Sequence, residues 1–211
     1  MTNTGVLLPT AVFPTIQYMS KFLLYNEIWI EAIELYQKQT YRSRYEIAAA
    51  NGKMLLSVPV AESGQGYRVN RVKLAYDTNW QRIHYKSIES AYRSTPFFEY
   101  YIDDFQRFFN QKHEFLLNYN MEILQVFCEL LEISPTIRLT ETFETKPEMV
   151  DLRYEISPKT NFFNEDKNFK NPKYNQVFGD KHGFVENLSF LDLLFNEGPN
   201  AYDVLAATII K

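Results

Sequence analysis

The first 35 residues constrain the fold most. "GVLL" is a short apolar run closed by Pro9. "FPTIQYMSKFLLY" then places Ile16, Met19, Phe22 and Leu23 on one helical face, and "EIWIEAIEL" is a second extended run. Strand, helix and strand in that order favour parallel pairing through a right-handed crossover, because a tight turn cannot join parallel neighbours. Pro14 suits the first turn of this helix, where a missing N–H leaves no bond unmade.

A hairpin follows. "RYEIAAANGKMLLSVPV" sets two extended runs around Asn51-Gly52, a pair that tolerates positive φ in a tight turn. "VNRVKLAY" alternates and reads as a further strand with one basic face, after a flexible loop at "ESGQGY", residues 62–67. The expected class is α/β: a mixed sheet with an N-terminal β-α-β unit and a β-hairpin, packed by several helices. From Asp77 the pattern turns helical. Asp77 or Thr78 is placed to cap "NWQRIHYKSIESAYR", Pro96 opens "FFEYYIDDFQRFFN", and "HEFLLNYNMEILQVFCELLEI" ends before Ser134-Pro135. Residues 135–180 lack apolar periodicity and contain four prolines, which predicts a long, partly extended segment wrapping the body. "VENLSFLDLLFNEGP" is a last helix stopped by Gly198-Pro199. The 211 residues, 45% of them hydrophobic, are read as a single domain with one sizeable core.

No apolar run is long enough to cross a bilayer. "MTNTGVLLPTAVFPTIQY" lacks the basic and apolar regions of a signal peptide, so a cytoplasmic location without membrane insertion is expected. The lone Cys128 falls among apolar residues at helical spacing and reads as a buried thiol. Charge is uneven. Residues 1–95 carry 11 Lys and Arg against 7 Asp and Glu, whereas residues 96–211 carry 11 against 19, so an anionic ligand is more welcome in the first half. A pI near 5.5 argues against nucleic-acid binding.

Three stretches carry candidate chemistry. "YQKQTYRSRYEI" gathers Lys38, Arg42 and Arg44, whose donors suit a phosphate or carboxylate; Arg44 and Glu46 share a face, so a structural ion pair competes with that reading. Trp80, His84, Ile88 and Tyr92 form an i, i+4 stripe, in which His84 is either a general acid–base or a core histidine bonded to a carbonyl. In "NLSFLDLLFNEG", Leu188, Leu191, Leu194 and Phe195 make the buried stripe, while Ser189, Asp192 and Asn196 fall on another side. Asp192 is placed to orient an imidazole or act as a base. Glu197 sits near a helix C-terminus, where an acid costs about 0.3–1 kcal/mol, and so invites a role of its own. His84, His113 and His182 are far apart in sequence and no close His/Cys/Asp spacing exists, so no metal is expected. Motifs of the forms GxxxxGK[ST], GxGxxG and GxSxG are absent.

Taken in order, "FPTIQY" (13–18), "YQKQTYRSR" (36–44), "ANGKMLLSVPV" (50–60), Trp80 with His84, "SAYRSTPFFEYY" (90–101) and "YNQVFGDKHGFVENLSFLDLLFNEGP" (174–199) resemble the WbqC-like family, in the form common in Bacteroidetes. One departure is Ser43, where the family usually has Asn. The resemblance implies a setting in O-antigen or other surface-polysaccharide gene clusters, in a family that is largely uncharacterised. It points to a transferase that places an aminoacyl, glycyl or small acyl group on an amino sugar of a nucleotide-linked precursor. On that reading His84, Asp192 and Glu197 are the catalytic candidates, and Lys38, Arg42, Arg44, Tyr92 and Asn196 bind a nucleotide sugar or another anionic small molecule. The expected pocket is bordered by 36–44, 80–92 and 189–197, with His84 held by Asp192, and no cofactor is implied. The alternatives are an atypical glycosyltransferase and a non-catalytic binding or scaffold protein of the same pathway.

Overall fold

The computed structural model describes residues 5–61, 66–158, 166–171 and 173–210. Residues 62–65 of the loop expected at 62–67, and residues 159–165 and 172 of the wrapping segment, lie outside them.

Strand β1 (Val6–Pro9), helix α1 (Ile16–Leu24) and strand β2 (Glu27–Glu31) form the β-α-β unit. β1 and β2 pair in parallel with Val6 opposite Ile28 and Leu8 opposite Ile30. These four side chains share one face and are fully buried, as period-2 alternation requires. Thr15 caps α1, its hydroxyl accepting from the Tyr18 N–H at 3.3 Å. Pro14 therefore precedes the cap rather than opening the first turn. Ile16, Met19 and Phe22 are buried as the helical face predicted.

Strands β3 (Arg44–Ala49) and β4 (Gly52–Ser57) form the antiparallel hairpin. Ala49 pairs with Gly52, so the two-residue loop is Ala50-Asn51, and Gly52 takes the positive φ of +100°. "VNRVKLAY" is not a continuous strand. Val69–Arg71 is a 3-10 turn, followed by isolated bridges from Lys73 to Phe115 and from Leu74 to Val60. The cause is local: the Val69 and Asn70 N–H groups donate to Glu34 and Ala32 carbonyls, and burial falls on Val69 and Val72, a three-residue spacing.

Helices α2 (Trp80–Tyr92), α3 (Phe98–Phe105), α4 (Arg107–Asn110) and α5 (Leu116–Leu130) follow. Asn79, not Asp77 or Thr78, occupies the N-cap of α2, and its side chain makes no capping bond. Phe13 is a hub of the core. Its ring stacks on Phe109 at 5.7 Å and lies 4.7 Å from Tyr45 and 6.5 Å from Phe127.

The wrapping segment supplies both edges of the parallel sheet. Strand β5 (Thr136–Leu139) adds to β2, and β6 (Val150–Asp151) adds to the far side of β1, giving the order β5-β2-β1-β6. Between them the chain borders a small cavity that Pro147 and Met149 line together with Leu7 and Trp29. Parallel and antiparallel pairing thus both occur, in two sheets. The chain closes with α6 (Gly179–His182), α7 (Phe190–Glu197) and α8 (Ala201–Ala206). Among the described residues no helix is long and apolar enough to cross a membrane.

Gly198 ends α7 at φ +55°, and a Cβ there would sit 2.5 Å from the Phe97 ring. Gly198→Ala combines left-handed strain with overpacking and loses about 2–4 kcal/mol in urea unfolding. Gly52→Ala meets open space and loses only about 1–2 kcal/mol.

Candidate functional site

The parallel strands β2, β5 and β6 end on the same edge of the sheet, and the chain leaving them builds the site. Glu31, the last residue of β2, is fully buried. Its Oε1 accepts from the N–H groups of Ile33 (2.8 Å) and Glu34 (3.2 Å) and from the Thr140 hydroxyl (2.7 Å). Its Oε2 accepts from Arg153 Nη1 at 2.8 Å. Arg153, two residues past β6, also donates Nε and Nη2 to Asp151 at 2.9 and 2.7 Å, and Nη2 to the Glu144 carbonyl at 2.8 Å. These bonds to Asp151 and Glu31 hold Arg153 above the ordinary arginine range. One carboxylate therefore ties together the chain after β2, β5 and β6. A buried ion survives only when its hydrogen bonds are filled in this way.

A second pair lies beside the first. Arg42 and Glu34 are both buried, and Arg42 donates Nε and Nη2 to the two Glu34 oxygens at 2.8 and 2.7 Å. Burial raises the Glu34 carboxyl, and the Arg42 guanidinium pulls it back down. Arg42 is thus committed to a structural pair and does not present its donors to a ligand.

Above these pairs opens a groove of about 880 Å³, lined by Ile33–Gln37, Arg68, Glu141–Phe143 and Tyr154. It stands beyond the carboxyl ends of parallel strands, where ligands of open α/β sheets bind. The Arg153 guanidinium lies over the Phe143 ring at 4.8 Å and the Tyr154 ring at 5.8 Å, so the ion network backs two of the aromatic side chains that line the groove. Tyr36 anchors one wall through a 2.6 Å bond between its hydroxyl and that of Ser43. Ser43 is buried and engaged in this bond. Arg44 is half-buried, has no ion pair among the described residues, and acts electrostatically on the Tyr36 hydroxyl. Glu46 bonds Lys53 at 2.9 Å rather than Arg44. Lys38 is exposed on the turn that follows the groove wall.

The other candidates lie elsewhere. His84 is buried between Tyr45 and Trp80. Its ring donates to the Ser57 carbonyl, so Nδ1 accepts from the Tyr45 hydroxyl at 3.0 Å. Burial pulls the imidazole down to about 4 against the weaker opposite effect of the Ser57 bond. This is a neutral core histidine with both nitrogens filled, and it does not meet Asp192. Asp192 is fully buried at the other end of α2. Its Oδ2 accepts from the Tyr174 hydroxyl (2.5 Å) and Gln176 Nε2 (2.8 Å). The Tyr92 hydroxyl faces the same carboxylate and accepts from the Ala48 N–H at 3.1 Å, while Oδ1 has no partner in good geometry. Burial raises Asp192, and the bonds from Tyr174 and Gln176 moderate the rise. Asn196 donates to the Asp192 carbonyl at 2.7 Å, and Glu197 accepts from the Asn175 N–H at 3.3 Å. The cluster pins residues 174–176 onto α7. The single pocket expected from 36–44, 80–92 and 189–197 is therefore not what lines the large groove; of those stretches only Tyr36 and Gln37 do.

Glu31, Glu34, Arg153 and the aromatic walls were not among the candidates from sequence. A glutamate ending an apolar strand, and an arginine inside "MVDLRYEI", were the available signals. No group of three metal-ligating side chains exists among the described residues.

The model of the WbqC-like protein family matches residues 10–162 and 161–204. The chain is also similar to the "Uncharacterized protein Rv1507c" of Mycobacterium tuberculosis, at 25% identity over 92% of this chain and 90% of that one. No solved structure matches it.

Arg153→Ala leaves Glu31 buried without its cation and lowers stability by about 3–5 kcal/mol in urea unfolding. Arg138→Ala, which removes an exposed 3.0 Å pair with Glu27, costs less than about 1 kcal/mol. His84 adds a pH dependence. Its folded value lies below the ordinary one, so the unfolded chain takes up the proton first; the contribution is complete above about pH 6.5 and falls as pH drops toward 4. Unfolding at pH 7 and pH 5 will show a loss of about 2 kcal/mol that is absent in His84→Gln.

Proposed function

The chain belongs to the WbqC-like protein family, and from that premise we propose that it is a transferase of surface-polysaccharide biosynthesis. It moves a small acyl or aminoacyl group onto a sugar of a nucleotide-linked precursor, and the strand-end groove is the sugar site. The observation that carries the reading is the groove itself. It is about 880 Å³, has aromatic side chains from Tyr36, Phe143 and Tyr154, and has polar groups from Gln37, Thr142, Glu141 and Arg68 beside them. Aromatic faces receive the apolar faces of a sugar ring, and a few placed polar groups bond its hydroxyls. Lys38 and Arg44, both without an ion pair among the described residues, are the cations for the precursor's phosphates. Arg42 acts indirectly, holding Glu34 in the groove wall. His84, Tyr92, Asp192, Asn196 and Glu197 support the framework in this account.

A non-catalytic sugar-binding protein of the same pathway is the second reading. The observation favouring it is that, among the described residues, the groove lining contains no His, Cys, Ser or Lys, the side chains that most often act as nucleophile or base.

The test is a mass-spectrometric assay of the purified protein with nucleotide sugars and acyl or aminoacyl donors. The expected product is the nucleotide sugar with the mass of one added acyl group. Phe143→Ala lowers its rate at least tenfold. Release of free nucleotide with transfer of the sugar would make the protein a glycosyltransferase. Sugar binding in the groove without any product would establish the second reading.

A further inference from the structure

Helix α2 has a face that the core does not use. Trp80, His84, Ile88 and Tyr92 are buried, while Arg82, Lys86 and Ser90 follow one another at i, i+4 on the exposed side. Between that side and the hairpin runs a groove of about 520 Å³, with Ala49, Ala50 and Met54 on the hairpin and Arg82, Ile83 and Lys86 on the helix. Ile83 is 58% exposed and Met54 37%, so apolar surface lies open in it. No carboxylate lines it among the described residues. Arg82 has no ion pair among the described residues, and Lys86 has an exposed one with Glu89 at 2.6 Å, which another acid can replace at little cost.

The opposite flank of α2 is acidic. Gln81 donates to the Phe108 and Gln111 carbonyls at 2.9 and 2.6 Å, and Arg93 lies 3.8 Å from Glu99, so α4 and the start of α3 border this flank. Helix α3 turns Glu99, Tyr100, Asp103 and Asp104 to solvent. Tyr100 is 75% exposed, the most of any large hydrophobic side chain among the described residues. Asp103 and Asp104 have no ion pair among the described residues. The two patches are complementary in charge and in shape, an open apolar groove rimmed by cations and an exposed ring flanked by acids. Because α2 stands between them, the patches of one molecule cannot meet. A two-fold rotation about an axis at α2 brings each onto its counterpart and closes the pair.

We infer that this face joins two copies of the chain in a symmetric dimer, with Tyr100 of each copy seated between Met54 and Ile83 of the other and Asp103 and Asp104 facing Arg82 and Lys86. Tyrosine, methionine and arginine are the side chains enriched at the centres of such contacts. The inference is independent of what the strand-end groove binds, since none of the residues in it line that groove.

The test is sedimentation equilibrium of the full chain at about 100 μM, a concentration that reveals interfaces of micromolar affinity or tighter. The wild type is expected to be dimeric, with a Kd that rises at least tenfold when salt goes from about 0.05 to 0.5 M. Tyr100→Ala weakens the dimer at least tenfold. Two charge reversals at exposed positions, Arg82→Glu with Lys86→Glu and Asp103→Lys with Asp104→Lys, each give a monomer with an unchanged urea midpoint. Mixing these two variants restores a dimer, because each then offers the charge that the other lacks. A monomeric wild type, a dimer that survives either reversal, or a mixture that stays monomeric overturns the inference.

Discussion

Glu31 is the residue on which the arrangement of the strand ends depends. It sits where a buried strand gives way to the chain that must form a groove, and a lone carboxylate there would be prohibitively costly to bury. Two backbone N–H groups, one hydroxyl and one guanidinium satisfy it. Each donor comes from a segment that forms or underlies the groove: the turn after β2, the residue after β5 and the arginine after β6. The same interactions that make the ion tolerable therefore fix the relative positions of three loops. Such networks give geometry more than stability, since an apolar replacement of similar shape is often as stable. Rigidity of the three loops that border the groove is what that trade provides.

Much of the fold was legible because it rests on local periodicity. The β-α-β unit, the hairpin turning at Ala50-Asn51 just before Gly52, the long helices and the stop at Gly198 all leave a mark within a few residues. The edge strands leave almost none. β5 is four residues long and mostly exposed, and β6 is two residues long, so neither has a buried face to alternate. Their existence is decided by the unpaired edges of β1 and β2. The 3-10 turn at Val69–Arg71 misled for a related reason: alternation of Val with polar residues looks like a strand until carbonyls of Ala32 and Glu34 capture its N–H groups.

The site was less legible than the fold. Arg42 has the composition of a ligand-binding arginine, yet Glu34 eight residues earlier takes both its donors. His84 has the spacing of a catalytic residue on a helix face, but that face is the one the helix buries, and desolvation keeps the ring neutral. Asp192 is drawn into a hydrogen-bond cluster with Tyr174 and Gln176, residues it could not be matched with by periodicity. What the sequence did carry was the wall containing Tyr36 and Gln37, because it lies in the same short turn as the conspicuous cations.

The order in which the sheet is completed has a consequence for synthesis. β1 and β2 leave the ribosome early, but both of their outer neighbours come from beyond residue 135. Arg153 reaches Glu31 across 122 positions of chain. Until that length has emerged, an apolar pair of parallel strands stands with two bare edges and an uncompensated acid at its tip, the kind of surface on which nascent chains stick to one another. Slow, non-local closure follows from this topology. During translation the sheet thus stays open at both edges until most of the chain has emerged, and the buried acid gains its cation only then.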